Sequence, residues 1–205
     1  MNTPTHAILN LAILGRKSRP EWNGPIIWGG LIPDLAMFVF YGWGKLATDM
    51  SESQIWGEAY YEPFWQNLFD FWNSIPLALL GVGLGLWLSR QQRYRALGMA
   101  AALCCFSIVM HCLADLPVHR EDAHRHFWPL TNYRFESPIS YWDPAHNGDI
   151  FVIFELGLAL VTSVYVFRLL QSPLTKGLLI FSNVLSSDAK NNSLSSSSLD
   201  QVALI

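Results

Sequence analysis

The stretch Ala96-Leu-Gly-Met-Ala-Ala-Ala-Leu-Cys-Cys-Phe-Ser-Ile-Val-Met-His111-Cys-Leu-Ala-Asp115 decides the fold. It runs from Ala96 to Met110 without a charged residue, and a helix needs about 20 mostly apolar residues to cross the hydrocarbon core of a bilayer. Working outward, three more windows meet or approach that requirement: Pro25 to Trp43, Phe71 to Leu88 and Ile150 to Leu170. The composition agrees, with 51% hydrophobic and only 14% charged residues in 205, well beyond the bias of an ordinary soluble domain. The expected fold is all-α, a multi-span transmembrane helical bundle of four full spans. A short N-terminal helix, Thr5 to Leu14, is too short to cross and is expected to be embedded against the others. Trp22, Trp28, Trp43, Trp72, Trp87, Tyr141 and Trp142 stand near the ends of these runs, where aromatic rings favour the headgroup level.

Two regions follow. Residues 1–180 form the membrane domain, with a His/Asp-rich loop over 111–149, and residues 181–205 form a serine- and asparagine-rich tail expected to be disordered. Thr3 before Pro4 predicts an N-cap with proline at the first helical position. The N-terminus lacks the positive start of a secretory signal, so no cleaved segment is expected. Cys104, Cys105 and Cys112 lie in one apolar run and read as free and structural. Gly81, Gly83 and Gly85 follow no strand, which removes a nucleotide loop and points to close helix packing through Gly81 and Gly85.

Basic residues set an expected orientation. Arg16, Lys17 and Arg19, then Arg90, Arg93 and Arg95, then Arg168 and Lys176 fall on one side, while Asp49, Glu52, Glu58, Glu62 and Asp70 face Lys45 alone on the other. The first side is cytoplasmic by the positive-inside rule, against which Arg120, Arg125 and Arg134 count. The expected location is a bacterial-type plasma (inner) membrane in contact with lipid. A net charge of −3 with scattered basic residues excludes a nucleic-acid surface.

Polar chemistry concentrates after Met110. His111 and Asp115, four apart on a helix, share one face where imidazole and carboxylate can hold a divalent ion. Pro117 ends that helix, and His119, Asp122, His124 and His126 follow on a loop. Nitrogen and oxygen donors without thiolates favour zinc or another borderline metal. His124 and His126 alone read more simply as a solvated turn. Asp34 sits inside an apolar run, where an unpaired carboxylate costs several kcal/mol. In helical rise, Asp34 lies roughly 22 Å beyond Arg19, His111 roughly 24 Å beyond Arg95, and His6 roughly 15 Å from the basic loop. One topology therefore gathers His6, Asp34, His111 and Asp115 towards the non-cytoplasmic face. Asp122 is a candidate general base, Glu121 a surface carboxylate, and Arg120 and Arg125 candidates for binding an anionic headgroup or phosphate. Asp143 and Asp149 read as helix caps, and His146 as a loop histidine that completes the ligand set if its loop folds back. Glu155, inside the last span, faces the polar pocket or pairs with a buried basic group.

The early Thr5-His6, the segment Gly29-Gly30-Leu-Ile-Pro33-Asp34 and His111-x3-Asp115 with His119 resemble the bacterial family of predicted membrane-bound metal-dependent hydrolases. Their order is also similar to that in zinc-dependent phospholipase C. The resemblance covers roughly Met1 to Pro144 in three short motifs. It implies His6, Asp34, His111, Asp115 and His119 as metal ligands that activate water against a phosphoester or lipid-like substrate. The chain departs from the phospholipase pattern in having no His-x3-Glu motif after His126. A non-enzymatic membrane protein whose cluster binds metal or senses pH is the alternative. A transporter is disfavoured, since the runs Ile75 to Leu88 and Ala96 to Met110 carry no charge.

Overall fold

The structure, a computed structural model, describes residues 1–168. The tail 181–205, Lys176 and the end of the window Ile150 to Leu170 lie outside the described residues. The described residues are helical without strands: α1 (Thr3–Leu14), α2 (Asn23–Ala47), α3 (Glu52–Gly57), α4 (Pro63–Trp72), α5 (Ile75–Ser89), α6 (Arg95–Asp115) and α7 (Gly148–Arg168). Three helical segments are long and apolar enough to cross a membrane: Pro20–Ala47, Gln92–Asp115 and Gly148–Arg168. That is consistent with a membrane protein.

The expected second span is not continuous. Its window is divided between α4 and α5, which meet at a 42° bend, so the count becomes four only where this pair is taken as one span. The break has a local cause. Ser74 adopts an extended backbone and accepts from Leu77 N–H as the cap of α5, and Pro76, in the first turn of α5, has no N–H to continue the preceding helix. The backbone groups exposed by the break are used at once. Asn73 O receives the Cys112 thiol at 3.2 Å and lies 3.0 Å from His126 Nδ1, and Ile75 N–H donates to His126 O at 2.9 Å. The break is thus the dock for the long loop after α6.

The start of α1 also differs from expectation. Thr3 lies inside the helix, and Asn2 holds the cap position without a side-chain cap bond. The first turn is met instead by Glu155 of α7, whose carboxylate accepts from Asn2 N–H at 2.6 Å and from Asn2 Nδ2 at 2.9 Å. A carboxylate at a helix N-terminus complements its free N–H groups and positive dipole end.

α2 is gripped from two sides at Gly29 and Gly30. A Cβ on Gly29 would lie 2.1 Å from Cys104 O, and one on Gly30 would lie 2.9 Å from Ala7 Cα. Only glycine lets the α6 and α1 backbones come this close. A polar seam fixes the register: Asn10 Nδ2 donates to Ser107 Oγ at 2.8 Å, and Ser107 Oγ–H donates to Ile26 O at 2.6 Å. Gly81 and Gly85 play the packing role expected of them. Added Cβ atoms there would meet Cys105 Sγ at 2.5 Å and Ala102 N at 2.6 Å on α6, whereas Gly83 has open space.

This contrast makes a test. Overpacking a tight contact costs about 1–3 kcal/mol or more, so Gly85→Leu should lower the thermal midpoint of the detergent-purified protein by several degrees. Gly83→Leu should leave that midpoint unchanged.

Candidate metal centre

Four elements converge on one polar cluster. α1 brings His6, α2 brings Asp34, α6 brings His111 and Asp115, and the following loop brings His119. His6 and His111 are fully buried, Asp115 and His119 nearly so, while Asp34 is 22% exposed on its side chain. The glycine contacts lie within about two turns of His6, Asp34 and His111 on their helices, so the same close approach that packs the backbones brings these side chains together. Pro33 contributes too: it cannot donate to the carbonyl of Gly29, which loosens the helix beside Gly30. Gly30 O then lies 2.9 Å from His111 Nδ1.

Donor atoms of His6, Asp34 and His111 all lie within 4.8 Å of one another, and this His/Asp group could hold a metal ion. Asp115 joins them. Its Oδ1 is 3.0 Å from His6 Nε2 and 3.2 Å from His119 Nε2, and its Oδ2 is 3.0 Å from His111 Nε2. Asp34 Oδ1 is 3.6 Å from His111 Nε2. With metal–ligand bonds of about 2.0–2.2 Å, the donors of a tetrahedral ion stand about 3.3–3.6 Å apart, close to these separations. The imidazole and carboxylate directions decide more than the distances. His6 Nε2, His111 Nε2 and Asp34 Oδ2 are buried without a hydrogen-bond partner, so the two imidazoles lie near Asp115 but are not aligned to donate to it. Buried polar atoms left this way are uncommon, and here they stand where a shared ligand could meet them.

The outer contacts of two of the three histidines fit ligation, while His6 Nδ1 has no partner. His111 Nδ1–H donates to Gly30 O, and His119 Nδ1–H donates to Asp122 Oδ2 at 3.0 Å. With the ring neutral, each leaves Nε2 as the lone-pair nitrogen facing the cluster, the arrangement by which second partners orient metal-binding histidines. Asp122 is placed behind His119: its Oδ2 also accepts from Trp142 Nε1–H at 3.2 Å, and its Oδ1 accepts from Arg120 N–H at 3.3 Å. Burial would raise the Asp122 pKa, but the His119 hydrogen bond and charge outweigh it and hold the group ionised below its ordinary range. The Met1 amine donates to Asp115 Oδ1 at 2.7 Å and lies 3.3 Å from His119 Nε2, a cation seated against the buried carboxylate.

Other residues are placed differently. His124 and His126 are buried, not solvated as a turn would have them. No local sequence signal marks this, because the contacts that bury His126 come from the break, at Asn73 O and Ile75 N–H. His126 Nε2 is also without a partner. Arg125 is an anchor: Nε pairs with the fully buried Asp70, Nη2 donates to Asn67 at 2.6 Å and Nη1 to Asn132 at 3.1 Å. Its donors are committed to the protein, unlike the free guanidinium expected for substrate. Arg120 is 35% exposed and lies between Glu121 and Ser137 O. His146 joins Asp143 at 2.7 Å and Glu121 at 4.0 Å in a separate, more exposed group. Asp143 caps the turn Pro144–His146 there. Glu155, expected to face the polar pocket or pair with a buried basic group, holds Asn2, the neighbour of the Met1 amine that reaches Asp115.

No protein-family model matches this chain, and no curated protein and no solved structure matches it.

Burial alone would lower the His119 pKa, but the Asp115 carboxylate and hydrogen bonds to Asp115 and Asp122 raise it from 6.5 to about 9. A raised folded-state pKa stabilises fully below about 6.5, and the effect is lost as pH climbs through about 9. His124 and His126 act with the opposite sign, because burial lowers both; they cost stability as pH falls below about 6.5. The metal-free protein should therefore lose up to about 3 kcal/mol between pH 6.5 and 9. Chemical denaturation across that window should show a flat profile for His119→Gln; an unchanged slope would remove His119 from this account.

Proposed function

We propose that this protein is a multi-pass membrane hydrolase dependent on a divalent metal, best served by zinc, acting on a phosphoester or lipid-like substrate at the membrane surface. The observation that carries the reading is the set of buried, unpartnered donors His6 Nε2, His111 Nε2 and Asp34 Oδ2 around Asp115. His6, Asp34, His111, Asp115 and His119 would hold the ion; the donors are nitrogen and oxygen only, which suits zinc over softer or harder ions. Bound zinc supplies Lewis acidity and brings the pKa of a water towards neutrality.

The protein groups have their own tasks. Asp122 fixes the His119 ring through Nδ1, and Gly30 O does so for His111. The Pro129 to Trp142 segment holds this loop over α4, with Arg134 donating to Gln66 Oε1 at 2.8 Å and Ala123 O at 2.6 Å. The resemblance to membrane-bound metal-dependent hydrolases rests on the same three motifs. Counting the bent α4–α5 pair as one span gives four spans, with the cluster on the non-cytoplasmic side by the positive-inside rule.

A second reading has one observation in its favour. His119 lies between Asp115 and Asp122, at 3.2 and 3.0 Å, which is a proton-binding arrangement without any ion. It makes the protein a metal or proton sensor with no turnover.

Elemental analysis of detergent-purified protein separates these. The hydrolase reading expects near-stoichiometric zinc, lost in His111→Ala and Asp115→Ala at matched folding, and cleavage of bis(4-nitrophenyl) phosphate that chelation abolishes and zinc restores. Metal without turnover on phosphoester and lipid substrates would favour the sensor. Protein that takes up no metal even after reloading would overturn the hydrolase.

A further inference from the structure

Beside the cluster lies a cavity of about 480 Å³, within the size range of small-molecule sites. Five of its seven lining residues are aromatic: Trp56, Tyr60, Tyr61, Tyr141 and Trp142. The other two are Met37 and Asp122, and Asp122 is the one formal charge in the lining. The cavity shares a wall with the metal centre, since Asp122 Oδ2 accepts from both Trp142 Nε1–H and His119 Nδ1–H. The Tyr141 ring also lies 4.8 Å from that of His119, centroid to centroid.

Aromatic residues at the end of a membrane bundle ordinarily anchor it in the headgroup region. Here three of the five have their polar handles turned to the protein. Trp142 Nε1–H is spent on Asp122, Trp56 Nε1–H donates to Glu52 Oε2 at 3.2 Å, and Tyr60 Oη–H reaches Asp122 O at 3.5 Å. Tyr60 is buried, and Trp56 stacks on Tyr41 with centroids 5.5 Å apart. The rings are held as fixed walls. Burial raises the phenol pKa of Tyr60 and of Tyr141, so both stay neutral π surfaces.

Five aromatic rings and one carboxylate give the lining aromatic quadrupoles and a single negative charge, with no cationic side chain. A bare phosphate finds no cation among the lining residues, and a small hydrated ion would have to exchange water for aromatic carbon. A cation whose charge is spread under alkyl groups loses little hydration and gains the ring quadrupoles. We infer that this cavity binds an organic ammonium group, quaternary or heavily alkylated, and so selects substrates that carry such a headgroup next to the bond presented to the metal centre. The substrate-selecting part rests on the hydrolase reading; the binding of the ammonium does not.

The test uses choline and its uncharged carbon isostere 3,3-dimethylbutan-1-ol, titrated into the detergent-purified full chain, both metal-loaded and metal-stripped, with tryptophan fluorescence and calorimetry as readouts. Choline should bind at least about tenfold more tightly than the isostere. Trp56→Leu should lose that preference and Trp56→Phe should keep it, each with unchanged helical circular dichroism. Equal affinity for the two probes, or no binding of choline, overturns the inference even when the protein holds metal. Choline binding with the expected preference in a protein that never takes up metal supports the cavity assignment and overturns only the hydrolase reading.

Discussion

The close contact of α2 with α1 and α6 at Gly29 and Gly30 is the constraint on which the remaining structure depends. Helices inside a bilayer have no hydrophobic drive to associate, because lipid is as apolar as leucine, and so they pack through small residues and polar contacts. Gly29 faces the Cys104 carbonyl and Gly30 faces Ala7, each at distances no side chain would allow. Asn10, Ser107 and Ile26 then lock the register with two short hydrogen bonds. Once the three helices are fixed there, His6, Asp34 and His111 have few other places to go. The packing motif and the chemical motif are the same six residues, Gly29 to Asp34.

Bringing Asp115 into that space creates a demand of its own. A carboxylate 2% exposed is costly without compensation, and three imidazoles and one amine surround it at 2.7 to 3.2 Å. Glu155 and Asp70, both buried, solve the same problem in other ways: the first by capping α1, the second by pairing with Arg125. The difference is instructive. Each oxygen of Asp70 and of Glu155 receives a donor, whereas His6 and His111 beside Asp115 retain nitrogens that bond to nothing.

Much of this was legible in the sequence where the signal is local or additive. Apolar runs announce helices, and helical rise from the basic loops put His6, Asp34 and His111 at similar depth. The i,i+4 spacing put Asp115 on the face of His111. What rise cannot encode is direction after a break. The window Phe71 to Leu88 carries no charged residue, so its average hydropathy passes over Asn73, Ser74 and Pro76, where the bend falls. Long-range partners are equally silent. Nothing near Arg125 points to Asp70, 55 residues away, and nothing near Glu155 points to Asn2. His124 and His126 look like solvated loop residues because their burial comes from α4 and from the break, not from their neighbours in sequence.

The bend supplies the last step. A continuous helix would have satisfied the carbonyl of Asn73 internally and presented a smooth apolar face. Because the chain stops and restarts there, Asn73 O faces both Cys112 and His126, and the loop after α6 has a fixed anchor. Irregular backbone at membrane depth is tolerated where protein covers it, and here the cover is the histidine loop itself. Asp70, two residues before the bend on its N-terminal side, holds the next point of that loop through Arg125. The loop that carries His119 and Asp122 is therefore positioned by α4 and the bend, while His6, Asp34 and His111 are positioned by the glycine contacts. Two independent scaffolds meet at Asp115. Such double positioning keeps several donors converged on one point, as a preorganised site requires.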